Sequence, residues 1–421
     1  MMVMNTESKT IRDPIHGDIK IKGIFLELIE APEIQRLYNI KQLGLAHLVF
    51  PGAHHTRLEH SLGAYHMAVR VGENLNLDKD EKELLSCAAM LHDIGHGPFS
   101  HTLESLLRDS LNVDHVDLTE ELIFGKHEIF EAEEKKFVAS QNVFDILTNH
   151  DIEHEKVSDI IRGKKSEKNY LNQLLNSSID VDQLDYLIRD AYYTGVSYGL
   201  IDIERFLQTL TINNNSLAVR KKGVGVVENI LMARTLMYSS VYFHKTVRIG
   251  ELMLSKAIEL IKDVEPYEFF KMTDGELLNY LKNKGTYQSE IAIRLKYRNL
   301  FKQAYTESKS SLDAESISIV KKLDDVHFKR EKEIDFEDKL NIPRGHIIID
   351  APYTELHLSE PRIEQTDIII VDGEKTKNLI DYTPIGEAVK SRTIPDWFVM
   401  IITDEKYRDI VAKNANKILF S

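Results

Sequence analysis

A chain of 421 residues is long enough for a large core with a smaller appended unit, since single cores stop growing near ~250 to 300 residues. Hydrophobic residues at 43%, charged residues at 29% and no apolar run near ~18 residues predict a cytoplasmic globular protein without a membrane span. A formal charge of -14 weighs against nucleic-acid and membrane partners, which want a basic surface, and one cysteine, Cys87, excludes an intramolecular disulfide framework.

Residues 9 to 22, KTIRDPIHGDIKIK, alternate apolar and polar around a Pro and a Gly, which predicts a short hairpin. From Pro32 to Asp109 the apolar periodicity is helical, broken near Pro51 and Gly52 and again from Gly95 to Pro98. The stretch LNVDHVDLTEELIFGKHEIFEAEEKKF predicts a polar connector that becomes a charged amphipathic helix after Gly125. Helices follow over 138 to 148 and 170 to 190. LQTLTINNNSLAVRKKG reads as a small inserted hairpin with an Asn-rich turn. Val226 to Glu265 reads as one or two long helices, and 266 to 330 stays helical.

KREKEIDFEDKL, 329 to 340, predicts a solvated charged connector. HIIIDAP, DIIIVDG and WFVMIIT are β runs, followed by an amphipathic C-terminal helix. The expected fold class is therefore mainly α: a helical core with an N-terminal β-hairpin and a small inserted hairpin over 1–330, then the charged connector and a small α+β unit over 331–421.

The chemistry centres on Leu91 to His101, LHDIGHGPFSH. His92 and Asp93 close an apolar helix just before Gly95, Gly97 and Pro98, and buried polar groups of this kind call for a partner or a metal. Taken alone the pair is an ordinary helix C-cap. Upstream, RLEH places Arg57 and His60 beside an apolar helical stripe. Downstream, Asp182, Tyr186 and Asp190 are spaced by four and share one helix face. His60, His92, Asp93 and Asp182 together suit a divalent cation, with Mn, Fe, Mg, Ni and Zn all open. Arg57, Arg189, Arg234, Lys245 and Arg248 lie near enough in sequence to supply positive charge for a polyphosphate.

The order H…HD…D, with DPIHG (13 to 17), IKQLG (40 to 44), VFPGAHHTRLEHSLG (49 to 63), HDIGHGPFSH (92 to 101) and VDQLDYLIRD (181 to 190), resembles the HD phosphohydrolase superfamily. The flanking words are most similar to its deoxynucleoside triphosphate triphosphohydrolases. The resemblance implies metal-dependent cleavage of a deoxynucleoside triphosphate into deoxynucleoside and triphosphate. It gives Arg57 and Arg234 to phosphate, and His96 and His127 to the phosphate path. His101 and Glu104 become the acid pair for the leaving sugar oxygen, although Glu104 stands where the family's usual residue is Asp.

Gln42, Leu43, Tyr186, Asp190 and Tyr242 match positions that contact sugar and base. Gln183 departs from the lysine of related animal proteins, and Tyr38 replaces an arginine expected to hold a guanine nucleotide. The resemblance also implies a homo-oligomer, dimer or tetramer, with a deoxynucleotide as possible effector near Lys9 to Tyr38. The competing readings are another HD phosphohydrolase acting as a nucleotidase, or on cyclic nucleotides or guanosine polyphosphates, and a regulatory nucleotide-binding protein without turnover.

Overall fold

Alternation along Ser8–Asp13 (β1) and Gly17–Lys22 (β2) turns Ile19 and Ile21 inward, where both are fully buried, and the two strands pair antiparallel as the hairpin expected from the sequence. The computed structural model describes residues 8–99, 113–130, 133–138, 140–164, 167–261, 266–352, 367–390 and 397–421. Its architecture is mainly α, a helical core with small sheets.

Local chemistry starts the central helices. Thr56 and Glu59 form a reciprocal capping box at the head of Arg57–Asn74 (α1), and Asp78 and Glu81 do the same for Lys79–Leu91 (α2). Asp114 and Asp117 cap His115–Ile123 (α3), and Asp180 caps Val181–Thr194 (α4). α2 and α4 both pack on α1 through the main apolar core, which also takes in the hairpin. The inserted hairpin is present as Leu210–Asn213 (β3) and Ser216–Arg220 (β4), with Asn214 and Asn215 at φ 47° and 62° in its turn. Asparagine tolerates that left-handed conformation, as a two-residue hairpin turn requires. Val224–Met237 (α5) and Lys245–Glu259 (α6) realise the long helical stretch, separated by a π turn at Tyr238–Tyr242.

Four expectations are corrected here. The segment read as a connector before Gly125 is helix α3, while the described residues after Gly125 carry only a short 3-10 turn, Glu134–Lys136. Capping by Asp114 outweighs the more regular charge pattern downstream. Within the expected helical run after 266, Asp274–Lys284 (α7) is helical, but Lys302–Glu307 (β5) is a strand. The charged connector is itself a helix, Val326–Leu340 (α8), whose Glu333, Phe336 and Glu337 are buried. Glu333 reaches Lys256 Nζ at 2.7 Å, so its charge is matched from α6 rather than by solvent.

Finally, the boundary expected between 330 and 331 falls inside α8, and strands on either side of it share sheets. β5 pairs with Val399–Thr403 (β9), which also pairs with Ile347–Asp350 (β6). Ile369–Asp372 (β7) joins β4 in parallel and Lys375–Asn378 (β8) antiparallel. Ile348, Met400 and Ile402 pack in one apolar cluster with Ile249 and Met253 of α6. Arg408–Leu419 (α9) closes the chain as the expected C-terminal helix. Among the described residues no helix is long and apolar enough to cross a membrane.

Candidate metal centre and nucleotide site

α1 delivers His60, the end of α2 delivers His92 and Asp93, and the first turn of α4 delivers Asp182. His60 Nε2 stands 3.3 Å from His92 Nε2 and 3.1 Å from Asp182 Oδ1. His92 Nε2 is 3.3 Å from Asp93 Oδ1 and 3.7 Å from Asp182 Oδ1. Donors bound at ~2.1 Å to one cation at 90 to 110° lie roughly 3.0 to 3.4 Å apart, so most of these spacings match a shared ion. His60, His92 and Asp93 form a group able to hold a metal.

Proton positions support the fit. The Asp185 carboxylate can only accept, and it lies 2.8 Å from His60 Nδ1; the Ala89 carbonyl likewise accepts from His92 Nδ1 at 2.9 Å. Each ring therefore keeps a proton on Nδ1, so that with a cation bound in place of the Nε2 proton an Nε2 lone pair would face the centre shared with the two carboxylates. Such a convergence of acceptors wants a cation at its centre. Burial alone would lower the His60 imidazole, but Asp182 and Asp185 outweigh it and raise it to about 10. Burial would raise the Asp93 carboxyl, and Arg57, His92 and His96 instead hold it well below the ordinary carboxylate range.

The residues expected to meet phosphate have distinct surroundings. Arg57 is buried and pairs with Asp93 Oδ2 at 2.5 Å. Arg234 is fully buried, its Nη1 3.3 Å from Gln183 Oε1, so the residue standing in place of lysine holds an arginine beside the site. Arg189 is committed to Asp185 and Asp13, and Arg248 to Asp350, so the two are drawn away from the charge expected of them. His96 Nε2 lies 3.3 Å from Asp93 Oδ1, and burial, helped by Arg57 and His115, holds its imidazole well below 6.5.

His115, which no sequence motif marks, stacks its ring on His96 at 4.0 Å. His127 instead stacks on Tyr267 and reaches Glu121 Oε2 at 3.0 Å, with neither contact made to His60, His92, Asp93 or Asp182. The signal for His115 was the Asp114 cap, which starts a helix with that histidine at its first position. Gly95 lets this helix approach: a Cβ there would run into the His115 carbonyl and the Thr119 backbone. Its amide donates to Thr119 Oγ1 at 3.0 Å, and the hydroxyl donates to the His92 carbonyl at 3.2 Å. His101 and Glu104 lie outside the described residues.

Two further residues pin the segment that follows His92 and Asp93. Buried Arg36 donates to the carbonyls of Ile94 (2.9 Å), His96 (2.7 Å) and Phe270 (3.0 Å). Asp274 accepts from Phe99 N at 2.9 Å and Lys41 N at 3.0 Å, holding Phe99 at a left-handed φ of 50° and tying it to the loop that carries Gln42.

Among the residues expected to contact a nucleoside, Asp190 accepts from Tyr242 at 2.6 Å and lies 2.7 Å from His55 Nε2, a residue to which the sequence alone gives no role. Tyr186 sits edge-on between His60 and Tyr242, with centroid distances of 6.4 and 6.1 Å. The Gln42 backbone N–H donates to the His55 carbonyl at 3.0 Å, and the residue's buried side-chain oxygen has no hydrogen-bond partner among the described residues. Leu43 is half-buried against two apolar clusters.

Residues 57–190 match the family model described as HD domain, and residues 201–420 match the one described as HD associated region. An uncharacterized protein of Methanocaldococcus jannaschii is 33% identical over 98% of this chain and 84% of its own length. A deoxynucleoside triphosphate triphosphohydrolase of Gallus gallus is 30% identical over 70% of this chain, which spans 55% of that relative's length. The crystal structure of a phosphohydrolase from Bacteroides thetaiotaomicron superposes with a TM-score of 0.70 at 26% identity, covering 94% of this chain and 100% of the other.

Proposed function

The chain belongs to the HD-domain family, and on that premise we propose that it is a metal-dependent deoxynucleoside triphosphate triphosphohydrolase. The observation that carries the reading is the convergence of His60, His92, Asp93 and Asp182 with both Nδ1 protons already donated elsewhere. When bound, a divalent cation supplies Lewis-acid activation of a phosphoryl oxygen and of water. Arg57 and Arg234 offset the charge of the phosphate chain, and neutral His96 with His115 lines its path. Water adds at the α-phosphorus while the bond to the sugar 5′ oxygen breaks, and that oxygen leaves with a proton. The family resemblance assigns this proton to His101 backed by Glu104.

Gln42 supports a nucleoside beside this centre, because its orphaned buried oxygen is an acceptor for a sugar hydroxyl. Tyr186 shares a helix face with Asp182 and offers the ring against which a deoxyribose packs, leaving no space for a 2′-hydroxyl. Assembly and an effector belong to the same reading. Lys9 and Glu30 pair on the exposed surface and Tyr38 of the same N-terminal segment is exposed, and a deoxynucleotide bound along this segment would couple homotetramer formation to activity. Sedimentation with and without deoxynucleotides tests that part.

Incubating the purified protein with each deoxynucleoside triphosphate and Mg or Mn, then identifying the phosphate released, tests the reaction. Triphosphate supports the proposal. Pyrophosphate or orthophosphate assigns a different HD phosphohydrolase reaction, and no turnover in any condition assigns a regulatory nucleotide-binding role.

A further inference from the structure

We propose that His16, at the tip of the N-terminal hairpin, is a positioning residue for the metal centre and acts through Asp185 on His60. The inference rests on His60 being a metal ligand. It makes the hairpin part of the site's support and not simply a cover over the core.

The support is built from two routes that begin at Asp13 and converge on Asp185. Asp13 Oδ1 accepts from the backbone of Ile15 (2.9 Å) and His16 (2.7 Å), which shapes the turn and aims the imidazole inward. His16 Nε2 then lies 2.7 Å from Asp185 Oδ1, while Asp185 Oδ2 takes the His60 Nδ1 proton at 2.8 Å. On the second route Asp13 Oδ2 takes Arg189 Nη1 at 2.8 Å, and the same guanidinium reaches Asp185 through Nε at 2.8 Å and Nη2 at 3.0 Å. The side chains of His16, Asp185, Arg189, Asp13 and His60 are all at most 5% exposed.

The two routes differ in what they fix. Asp185 and Arg189 sit four apart on α4 and shift together, so their ion pair reaches a separate segment only indirectly, through Asp13. His16 comes from a separate segment and holds that carboxylate in place against His60. A carboxylate so held keeps the proton on His60 Nδ1, fixes the ring plane and raises the basicity of Nε2, and loss of such support typically costs ~10 to 100-fold in metal affinity.

Mn2+ binding to the full-length protein, followed by the electron paramagnetic resonance of free Mn2+, tests the proposal alongside urea unfolding of the metal-free protein. Wild type should bind Mn2+ and Asp182→Ala should lose it; if wild type binds none, the ligand reading fails and this inference falls with it. With that established, His16→Leu should bind Mn2+ roughly 10-fold more weakly or worse, and His16→Gln, whose amide can donate to the same carboxylate, should stay within about 3-fold of wild type. Wild-type affinity in His16→Leu overturns the proposal. So does equal weakening in both variants, which would mark a packing role only. If His16→Leu does not fold, Asp185→Asn replaces it: unchanged Mn2+ affinity there removes the relay.

Discussion

Gly63→Ala isolates the buried support of His60 in one methyl group. Glycine in a helix interior is ordinarily worse than alanine by ~1 kcal/mol, so the substitution would normally stabilise. Here a Cβ would overlap Asp185 Oδ1 outright and stand 2.6 Å from Arg189 Nη2. Oδ1 must move, and it receives His16 Nε2 and Arg189 Nη2. Two buried hydrogen bonds to charged groups at about 1.5 to 3 kcal/mol each give a loss of about 3 to 6 kcal/mol, less the alanine gain, for a net loss of about 2 to 5 kcal/mol. Urea unfolding of the metal-free protein measures it, with Gly225→Ala as control, since a Cβ at Gly225 meets nothing within 4 Å and should stabilise slightly. Mn2+ affinity should fall in Gly63→Ala and hold in the control. A Gly63→Ala protein as stable as wild type, with unchanged Mn2+ affinity, would refute the reasoning.

Four other outcomes are expected. Asp182→Ala should lose bound metal and turnover together while keeping its helical circular dichroism, and full metal content in the variant would exclude Asp182 as a ligand. His115→Ala should lower turnover far more than His127→Ala, because only His115 stacks on His96; the reverse ranking, read from steady-state rates, would restore the sequence-based assignment. Asp274→Ala should cost about 2 to 6 kcal/mol, about 1 to 3 for each of the two donors it orphans, Phe99 N and Lys41 N, and should lower kcat with metal affinity unchanged. Glu33 is raised from 4.5 to about 7 by burial, and its Oε2 has no hydrogen-bond partner among the described residues. The folded state therefore holds the proton where the unfolded state has released it, and about 3 kcal/mol of stability present below pH 4.5 is lost as pH rises through 7. Glu33→Gln should remove that slope, and parallel stability profiles of the two proteins between pH 5 and 8 would show that Glu33 is not its source.

What the amino-acid sequence determined by itself is what short-range chemistry encodes. The ligand words lie at helix ends whose caps are local: Thr56 with Glu59 ahead of His60, and Asp180 ahead of Asp182. Period-two alternation and the Asn-rich turn likewise specified both hairpins. Tertiary structure decided everything that depends on a partner distant in the chain. KREKEIDFEDKL reads as solvated by charge alone, yet as part of helix α8 it buries Glu333, whose charge is met by Lys256 from far upstream. Lys302–Glu307 becomes a strand because β9 supplies its hydrogen bonds from the last quarter of the chain. His16, His55, His115 and Asp185 gained meaning only when folding set them against Asp185, Asp190, His96 and His60, respectively. Periodicity records which face of a segment is buried, but the energy of a buried charge or an orphaned donor depends on the group that meets it, and that pairing is a property of the assembled core.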